Sequence, residues 1–209
     1  MHVFGLTGGI ATGKSTIAAH WVQRGLPVVD ADDLARLVVA PGSDGLQEVV
    51  QLLGSDVLMA DGSLNRQAVA ATVFADPDAR RALEAITHPR IQAALQTRLT
   101  ILESQGSALV CYEAPLLVEA GRADAYRPLV VVVAPEIAQL ERAARRDAAD
   151  EGSLRARIAA QFPMQQKARA ADFVISNSGS VRELLIEAER VLDQVCKRLG
   201  IDPVLLQRK

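Results

Sequence analysis

Eight residues near the N-terminus have the types and spacing of a phosphate-binding loop. Gly8 and Gly13, followed directly by Lys14 and Ser15, match the pattern G-x-x-x-x-G-K-S at every fixed position. Glycines let backbone N–H groups approach a phosphate closely, and a helix that begins here adds a favourable dipole. Lys14 is expected to reach the β- and γ-phosphates of a nucleoside triphosphate, and the Ser15 hydroxyl is expected to bind Mg²⁺. The alternative interpretation is a glycine-rich turn that contains a lysine by chance.

Three aspartates, Asp30, Asp32 and Asp33, come at the end of the second strand pattern. Ligands of open α/β sheets bind beyond the carboxyl ends of the strands, so an acid here is expected at the same sheet edge as the phosphate loop. Phosphoryl transfer to a hydroxyl needs a carboxylate that orients the hydroxyl and accepts its proton. Capping of the next helix explains Asp30 or Asp32 about equally well. Position alone leaves both interpretations open.

A third group of residues that could do chemistry is basic. Arg142, Arg145 and Arg146 share one helix face, because residues three and four apart are neighbours on a helix. Bidentate arginines stabilise the charge that develops on a transferring phosphoryl group, and a mobile arm that carries them would also exclude water. The alternative is a solvated surface helix with acidic neighbours such as Glu141 and Asp147.

The segments that must position these groups alternate between strand and helix, which predicts a mainly parallel sheet. The phosphate loop follows a strand pattern at residues 2–7 and opens a helix pattern at residues 14–24. Continuous runs of apolar residues are typical of strands covered on both faces. Four further strands are predicted at residues 27–30, 108–112, 129–133 and 173–175. The sequence therefore predicts an α/β, three-layer P-loop fold with a parallel five-stranded sheet.

A long stretch without strand patterns separates the second predicted strand from the third. We interpret residues 32–105 as a helical insert, in which Asn65 is expected to cap one helix. His88 and Pro89 are expected at a helix start, where such a histidine is more often a packing or capping residue than a catalyst. An arginine-rich lid is predicted at residues 139–169. The sheet core is predicted from residues 1–31, 106–138 and 170–209.

The rest of the sequence narrows the class of P-loop protein. Neither asparagine, Asn65 or Asn177, begins the guanine-reading motif N-K-x-D, and D-x-x-G and the L-S-G-G-Q signature of transport ATPases are absent. RecA-like and AAA-type ATPases are usually longer and carry a strand of four apolar residues followed by an acidic residue. Residues 109–113 resemble this strand only weakly. What remains is the group of nucleotide and metabolite kinases. A net charge of −2 and 3% aromatic residues argue against nucleic-acid partners.

Several segments, in order and over most of the chain, together resemble those of the dephospho-coenzyme A kinase family. The matches begin with L-T-G-G-I at residues 6–10, G-K-S-T at 13–16 and D-A-D-x-x-A-R at 30–36. They continue with D-G-S-L at 61–64, V-F at 73–74, H-P-x-I at 88–91 and P-L-L-V-E at 115–119. They end with Arg142, Arg146, Asp147, Gln161, Lys167, Ala171, Asp172, Asn177 and Gly179. Many families share a phosphate loop, whereas this ordered set is highly specific.

The resemblance implies transfer of the ATP γ-phosphate to the ribose 3′-hydroxyl of dephospho-coenzyme A, with Mg²⁺ as cofactor and a coenzyme-binding role for the insert. The implied catalytic residues are Asp32 as the base, Lys14, Arg142 and Arg146. The implied ATP-binding residues are Gly8, Gly9, Ala11, Thr12, Gly13, Lys14, Ser15, Thr16, Arg142, Arg146 and Asn177, with Ser15 on the metal. The implied acceptor-binding residues are Asp32, Arg36, His88, Pro89, Ile91 and Leu116.

Two alternative functions stay open beside this one. The first is another metabolite or nucleoside kinase, and the second is a regulatory nucleotide-binding module without catalysis, which an acid at Asp32 beside an intact Lys14 disfavours. Glu113 stands where the family frequently has an aspartate, which leaves a metal role for this position open. Two cysteines without metal spacing, no signal-like N-terminus and no apolar run of about 20 residues predict a cytoplasmic location. The oligomeric state is left open.

Overall fold

The computed structural model describes residues 1–147 and 150–207. The predicted lid includes residues 148 and 149, and the predicted core includes residues 208 and 209, which lie outside the described residues. The strands are β1 (His2–Gly8), β2 (Val28–Asp30), β3 (Leu109–Glu113), β4 (Leu129–Val133) and β5 (Phe173–Ser176). The helices are α1 (Lys14–Gln23), α2 (Ala31–Leu37), α3 (Asp44–Leu53), α4 (Arg66–Ala75), α5 (Pro77–Ser104), α6 (Glu136–Asp147), α7 (Glu151–Ala159), α8 (Met164–Ala170) and α9 (Val181–Leu199).

The strands form one sheet in the order β2-β3-β1-β4-β5. Strand β1 is central and pairs in parallel with β3, where Phe4 lies opposite Cys111, and with β4, where Leu6 lies opposite Val130. Strand β4 pairs in parallel with β5. The parallel five-stranded sheet predicted from the sequence is confirmed. The connection after β1 runs to β2 on one side of the sheet, whereas the connection after β3 crosses to β4 on the other side. The loop after β1 therefore lies at the point where the strand order reverses, which is where open α/β sheets bind ligands.

Contacts divide the described chain into two compact units, residues 1–29 with 102–209 and residues 30–101. In the first unit, α1 and α9 cover one face of the sheet. Ile17 and Trp21 of α1 are fully buried there, and the Trp21 ring meets Phe4 edge-on, with 5.6 Å between the ring centroids. Burial of each such side chain stabilises the fold by about 1.5–3 kcal/mol. The next residues along the strands, such as Val131, are buried on the opposite face, which explains the continuous apolar runs.

Both cysteines of the chain belong to this core, and both are free thiols. Cys111 lies in β3 and Cys196 in α9, and neither side chain is exposed to solvent. Burial raises the pKa of the Cys111 thiol well above its usual value, with the nearby Glu113 carboxylate adding to the effect. Burial likewise raises the pKa of Cys196 to about 11.

The second unit is helical, with a small core that contains Val39, Leu46 and Val49. Asn65 caps α4 as predicted, since its Oδ1 accepts a hydrogen bond from the Ala68 N–H at 3.1 Å. Among the described residues, no helix of either unit combines the length and apolarity that crossing a membrane requires.

The expectation that His88 and Pro89 begin a helix is wrong. Helix α5 begins at Pro77, where Asp76 Oδ1 accepts hydrogen bonds from the next two N–H groups, and it continues through Pro89 to Ser104. Proline removes one backbone donor and usually bends or ends a helix. Here the helix extends for 28 residues across it, so His88 and Pro89 lie in its interior. Both are exposed.

Candidate active site

The phosphate loop connects the end of β1 to the start of α1. Gly13 takes φ 101°, which a residue with a side chain rarely adopts, and Ala11 takes φ 54°. The buried Thr12 closes the loop internally, because its Oγ1 donates to the Gly9 carbonyl at 3.0 Å. A side chain at Gly13 would also clash, since an added Cβ would lie 2.4 Å from Asn177 Nδ2. The sequence therefore fixes a tight loop that opens directly into a helix N-terminus.

Lys14 begins α1, and its ammonium group lies against the loop itself. Lys14 Nζ donates to the carbonyl oxygens of Gly8 and Gly9 at 3.1 and 2.9 Å. Ser15 and Thr16 follow in the exposed first turn of α1. This places the cation and the two hydroxyls at the helix end that favours anions.

The predicted Mg²⁺ needs few protein ligands. Mg²⁺ is usually bound through one or two side chains together with substrate phosphates and water. The exposed Ser15 hydroxyl beside the phosphate loop fits this requirement. In the described ranges, no group of three or more His, Cys, Asp or Glu side chains is arranged to hold a metal ion.

Asn177 joins the phosphate loop to the first of the predicted lid arginines. It follows β5, is 5% exposed, and its Nδ2 donates to the Thr12 carbonyl at 2.8 Å. The guanidinium of Arg142 donates to both the carbonyl and the Oδ1 of Asn177, each at 3.2 Å. Arg142 NH1 is buried and has no hydrogen-bond partner among the described residues. The structure therefore brings three predicted ATP-binding positions, Thr12, Arg142 and Asn177, into one network.

The other arginines of the predicted arc are arranged differently. Arg145 and Arg146 are exposed, and Arg146 Nε donates to Asp147 Oδ1 at 2.6 Å. Arg157 NH1 also donates to Asp147, at 2.8 Å. The Arg146 guanidinium, followed by that of Arg157, lowers the pKa of the Asp147 carboxyl from 3.8 to about 2. Arg146 thus pairs with an acidic neighbour, as expected if these arginines belong to a solvated surface helix.

Two glutamines contact the phosphate loop, and the charge pattern of the sequence does not single them out. Gln161 Oε1 accepts from the Ile10 N–H at 3.1 Å. Gln139 is 2% exposed, and its Oε1 would lie 2.7 Å from a Cβ added at Gly9. The family resemblance includes Gln161, but sequence reasoning missed Gln139. Its one signal is the spacing of three residues to Arg142 on α6, which puts the two side chains on one helix face.

The three aspartates at the end of β2 and the start of α2 differ in their partners. Asp30 is the N-cap of α2, since its Oδ1 accepts from the Asp32 N–H at 2.7 Å. Burial raises the Asp30 pKa above its usual value, although its hydrogen bond from Asp32 opposes this. Asp33 pairs with Arg36 at 2.8 Å. Capping is therefore the role of Asp30, and the exposed Asp32 carboxylate makes no hydrogen bond or ion pair with a described residue.

The remaining predicted acceptor-binding residues fall in both units. In the second unit, Ile91 lines an apolar pocket of about 310 Å³ together with Ala35, one residue before Arg36. His88 and Pro89 are exposed on α5. In the first unit, Leu116 is 47% exposed just after β3.

A family model, sequence relatives and one of the solved structures carry the same family description. A family model described as dephospho-CoA kinase matches residues 2–183. A dephospho-CoA kinase from Anaeromyxobacter dehalogenans is 50% identical over 192 residues, which are 92% of this chain and 91% of that protein. A solved structure from Thermus thermophilus has a TM-score of 0.82 and 34% identity, covering 95% of this chain and 99% of the other. The dephospho-CoA kinase from Campylobacter jejuni has a TM-score of 0.69 and 26% identity, covering 94% and 98%.

Proposed function

Because the chain belongs to the dephospho-CoA kinase family, we propose that it transfers the ATP γ-phosphate to the ribose 3′-hydroxyl of dephospho-coenzyme A. This reaction is the last step of coenzyme A biosynthesis. The chain is an ATP-dependent kinase, a transferase whose acceptor is a hydroxyl group. The proposal includes Mg²⁺ as cofactor, a cytoplasmic location, and no nucleic-acid partner, which fits the net charge of −2.

The observation that carries the proposal is the phosphate loop that Asn177 connects to Arg142. A helix N-terminus, the Lys14 ammonium and a half-buried guanidinium are held together within the first unit. Preorganised cationic and N–H groups of this kind stabilise the charge that develops on a transferring phosphoryl group. The arrangement fits a nucleoside triphosphate better than a neutral ligand.

Each of these groups has a proposed role in the transfer. Lys14 exchanges its hydrogen bonds with the loop carbonyls for contacts with the β- and γ-phosphates. Arg142, whose NH1 has no partner among the described residues, donates to the transferring group. Arg146 acts with it when the lid, about residues 139–169, covers ATP. Ser15 is the residue that would hold Mg²⁺, which would neutralise phosphate charge when bound.

On the acceptor side, Asp32 is the proposed base. Its carboxylate is exposed in the first turn of α2, while Asp30 holds the turn in place from the N-cap position. The insert, about residues 32–105, is proposed to bind dephospho-coenzyme A, with Arg36, His88, Pro89 and Ile91 on the acceptor. Leu116 has the same proposed role.

The test compares Asp32→Asn with Asp33→Asn in single-turnover reactions. Asp32→Asn keeps the shape of the side chain but cannot accept a proton, so turnover should fall about 10²–10⁴-fold with ATP binding retained. Asp33→Asn is the matched control, because Asp33 already pairs with Arg36, and it should stay within about tenfold of wild type. A dead Asp33→Asn beside an active Asp32→Asn would mean that the motif is misread.

The acceptor is tested separately by comparing specificity constants for dephospho-coenzyme A, adenosine and AMP. The pantetheine arm is remote from the reacting hydroxyl and supplies binding energy that orients it, so dephospho-coenzyme A should be favoured. Equal constants for adenosine and dephospho-coenzyme A would support a nucleoside kinase instead.

A further inference from the structure

A buried lysine lies on α8, the helix that precedes β5. Lys167, on α8, has a side chain with 0% exposure, and lysine is almost never fully buried unless it is paired. Its Nζ lies 2.7 Å from Glu119 Oε1 and donates to the Pro115 carbonyl at 3.0 Å. Both partners belong to residues 115–119, which follow β3 and carry Leu116.

Each partner of Lys167 makes a second bond toward the phosphate loop. Glu119 Oε1 also accepts from the Phe162 N–H at 3.0 Å, and the adjacent residue, Gln161, accepts from the Ile10 N–H at 3.1 Å. The Pro115 carbonyl also accepts from Thr7 Oγ1 at 3.1 Å, one residue before Gly8. The ion pair thus joins the segment after β3 to the turn before α8, and these two segments in turn contact Thr7 near the end of β1 and Ile10 in the phosphate loop.

We propose that Lys167 and Glu119 are positioning residues for phosphoryl transfer. They hold the Leu116 segment and the Ile10 end of the phosphate loop in fixed register. Stability alone does not account for the pair, because replacing a buried ion pair with apolar residues of similar volume is often neutral or stabilising. A displacement of about 1 Å between reacting groups can cost about 10²-fold in rate. Loss of the pair therefore acts on kcat rather than on the affinity for ATP.

The test separates positioning from stability with Lys167→Met, Glu119→Leu and the double variant. Each single change leaves an uncompensated charge in a buried site and should lower the urea midpoint of unfolding. The double variant removes both charges and fills the space with apolar side chains, so its midpoint should return close to that of wild type. The double variant still lacks the hydrogen bond from Lys167 to the Pro115 carbonyl and the hydrogen bond from the Phe162 N–H to Glu119. We expect its kcat to remain at least about tenfold below wild type, with the ATP KM within about threefold.

Two further variants keep the test decisive if the double variant does not fold. Gln161→Leu leaves the ion pair intact but removes the acceptor of the Ile10 N–H, and it should also lower kcat with little change in the ATP KM. Val195→Ala opens a cavity in the core at α9, so it should lower the midpoint while kcat stays near wild type. The Val195→Ala variant therefore shows how kcat responds to destabilisation alone.

Three results would overturn the proposal. The first is a double variant whose kcat returns to the wild-type value together with its stability. The second is a double variant whose ATP KM rises while its kcat is unchanged. The third is a Gln161→Leu variant with wild-type kcat. The proposal rests on the proposed kinase activity but not on the identity of its acceptor. The kcat and ATP KM of each variant can be compared with those of wild type using whichever hydroxyl acceptor the wild type phosphorylates. A failed acceptor assignment would therefore leave this comparison intact.

Discussion

Replacing Asn177 by alanine should destabilise the first unit and weaken the use of ATP together. The change removes the donor to the Thr12 carbonyl and one of the two acceptors for Arg142. A neutral hydrogen bond contributes about 0.5–1.5 kcal/mol and one to a charged group about 1.5–3 kcal/mol. Arg142 keeps its bond to the backbone carbonyl of Asn177, so the charged contribution is only partly lost. We expect a loss of about 2–3 kcal/mol in the free energy of unfolding.

Urea denaturation followed by circular dichroism measures this loss. With a slope of about 1–3 kcal/mol per molar urea, the midpoint should fall by about 1 M. The ATP KM should rise in the same variant, because Arg142, a proposed ATP-binding residue, loses one of its two acceptors. Asn65→Ala is a matched control, since it removes the cap of α4 at a cost of about 1 kcal/mol and leaves the phosphate loop unchanged. An Asn177→Ala protein within about 0.5 kcal/mol of wild type would refute this reasoning.

Three further outcomes are expected. Lys14→Ala should lower turnover at least about 10²-fold, and near-normal activity would contradict the assignment of the loop. Gly13→Ala should weaken ATP binding measured by calorimetry, because its Cβ would meet Asn177 Nδ2 at 2.4 Å, at a φ of 101° that disfavours side chains. NMR titration should place the Asp147 pKa at about 2 in wild type and nearer 3.8 in Arg146→Met. Since this pKa is lowered, the contribution of Asp147 to stability is complete above pH 3.8 and is lost as the pH falls through about 2.

The features that could be predicted from the sequence are those with a local physical cause. Strands such as Leu129–Val133 are continuous apolar runs, because parallel strands are covered on both faces. The start of α1 follows from Gly13 and Lys14, whose types fit a tight turn before a helix. The cap at Asn65 follows from its side-chain acceptor. In each case, neighbouring residues determine the structure.

The features that could not be predicted depend on packing between distant segments. In the sequence, Lys167 is one of several basic residues in the predicted lid, and only the fold shows that its side chain is fully buried against Glu119. Gln139 resembles any polar helical residue until α6 places it over Gly9. The start of α5 at Pro77 has a local cause in the Asp76 cap, but nothing local shows that this helix continues through Pro89 to Ser104. The predicted role of Asp32 stays a prediction.

The burial of both cysteines has a consequence for the chemistry of the proposed acceptor. The pantetheine arm of dephospho-coenzyme A ends in a thiol, which can form a mixed disulfide with an accessible protein cysteine. Such exchange requires a thiolate and access to the sulfur. Cys111 and Cys196 offer neither, because both are buried and their pKa values are raised, that of Cys196 to about 11. The protein can therefore meet a thiol substrate, or its oxidised disulfide form, without becoming covalently linked to it.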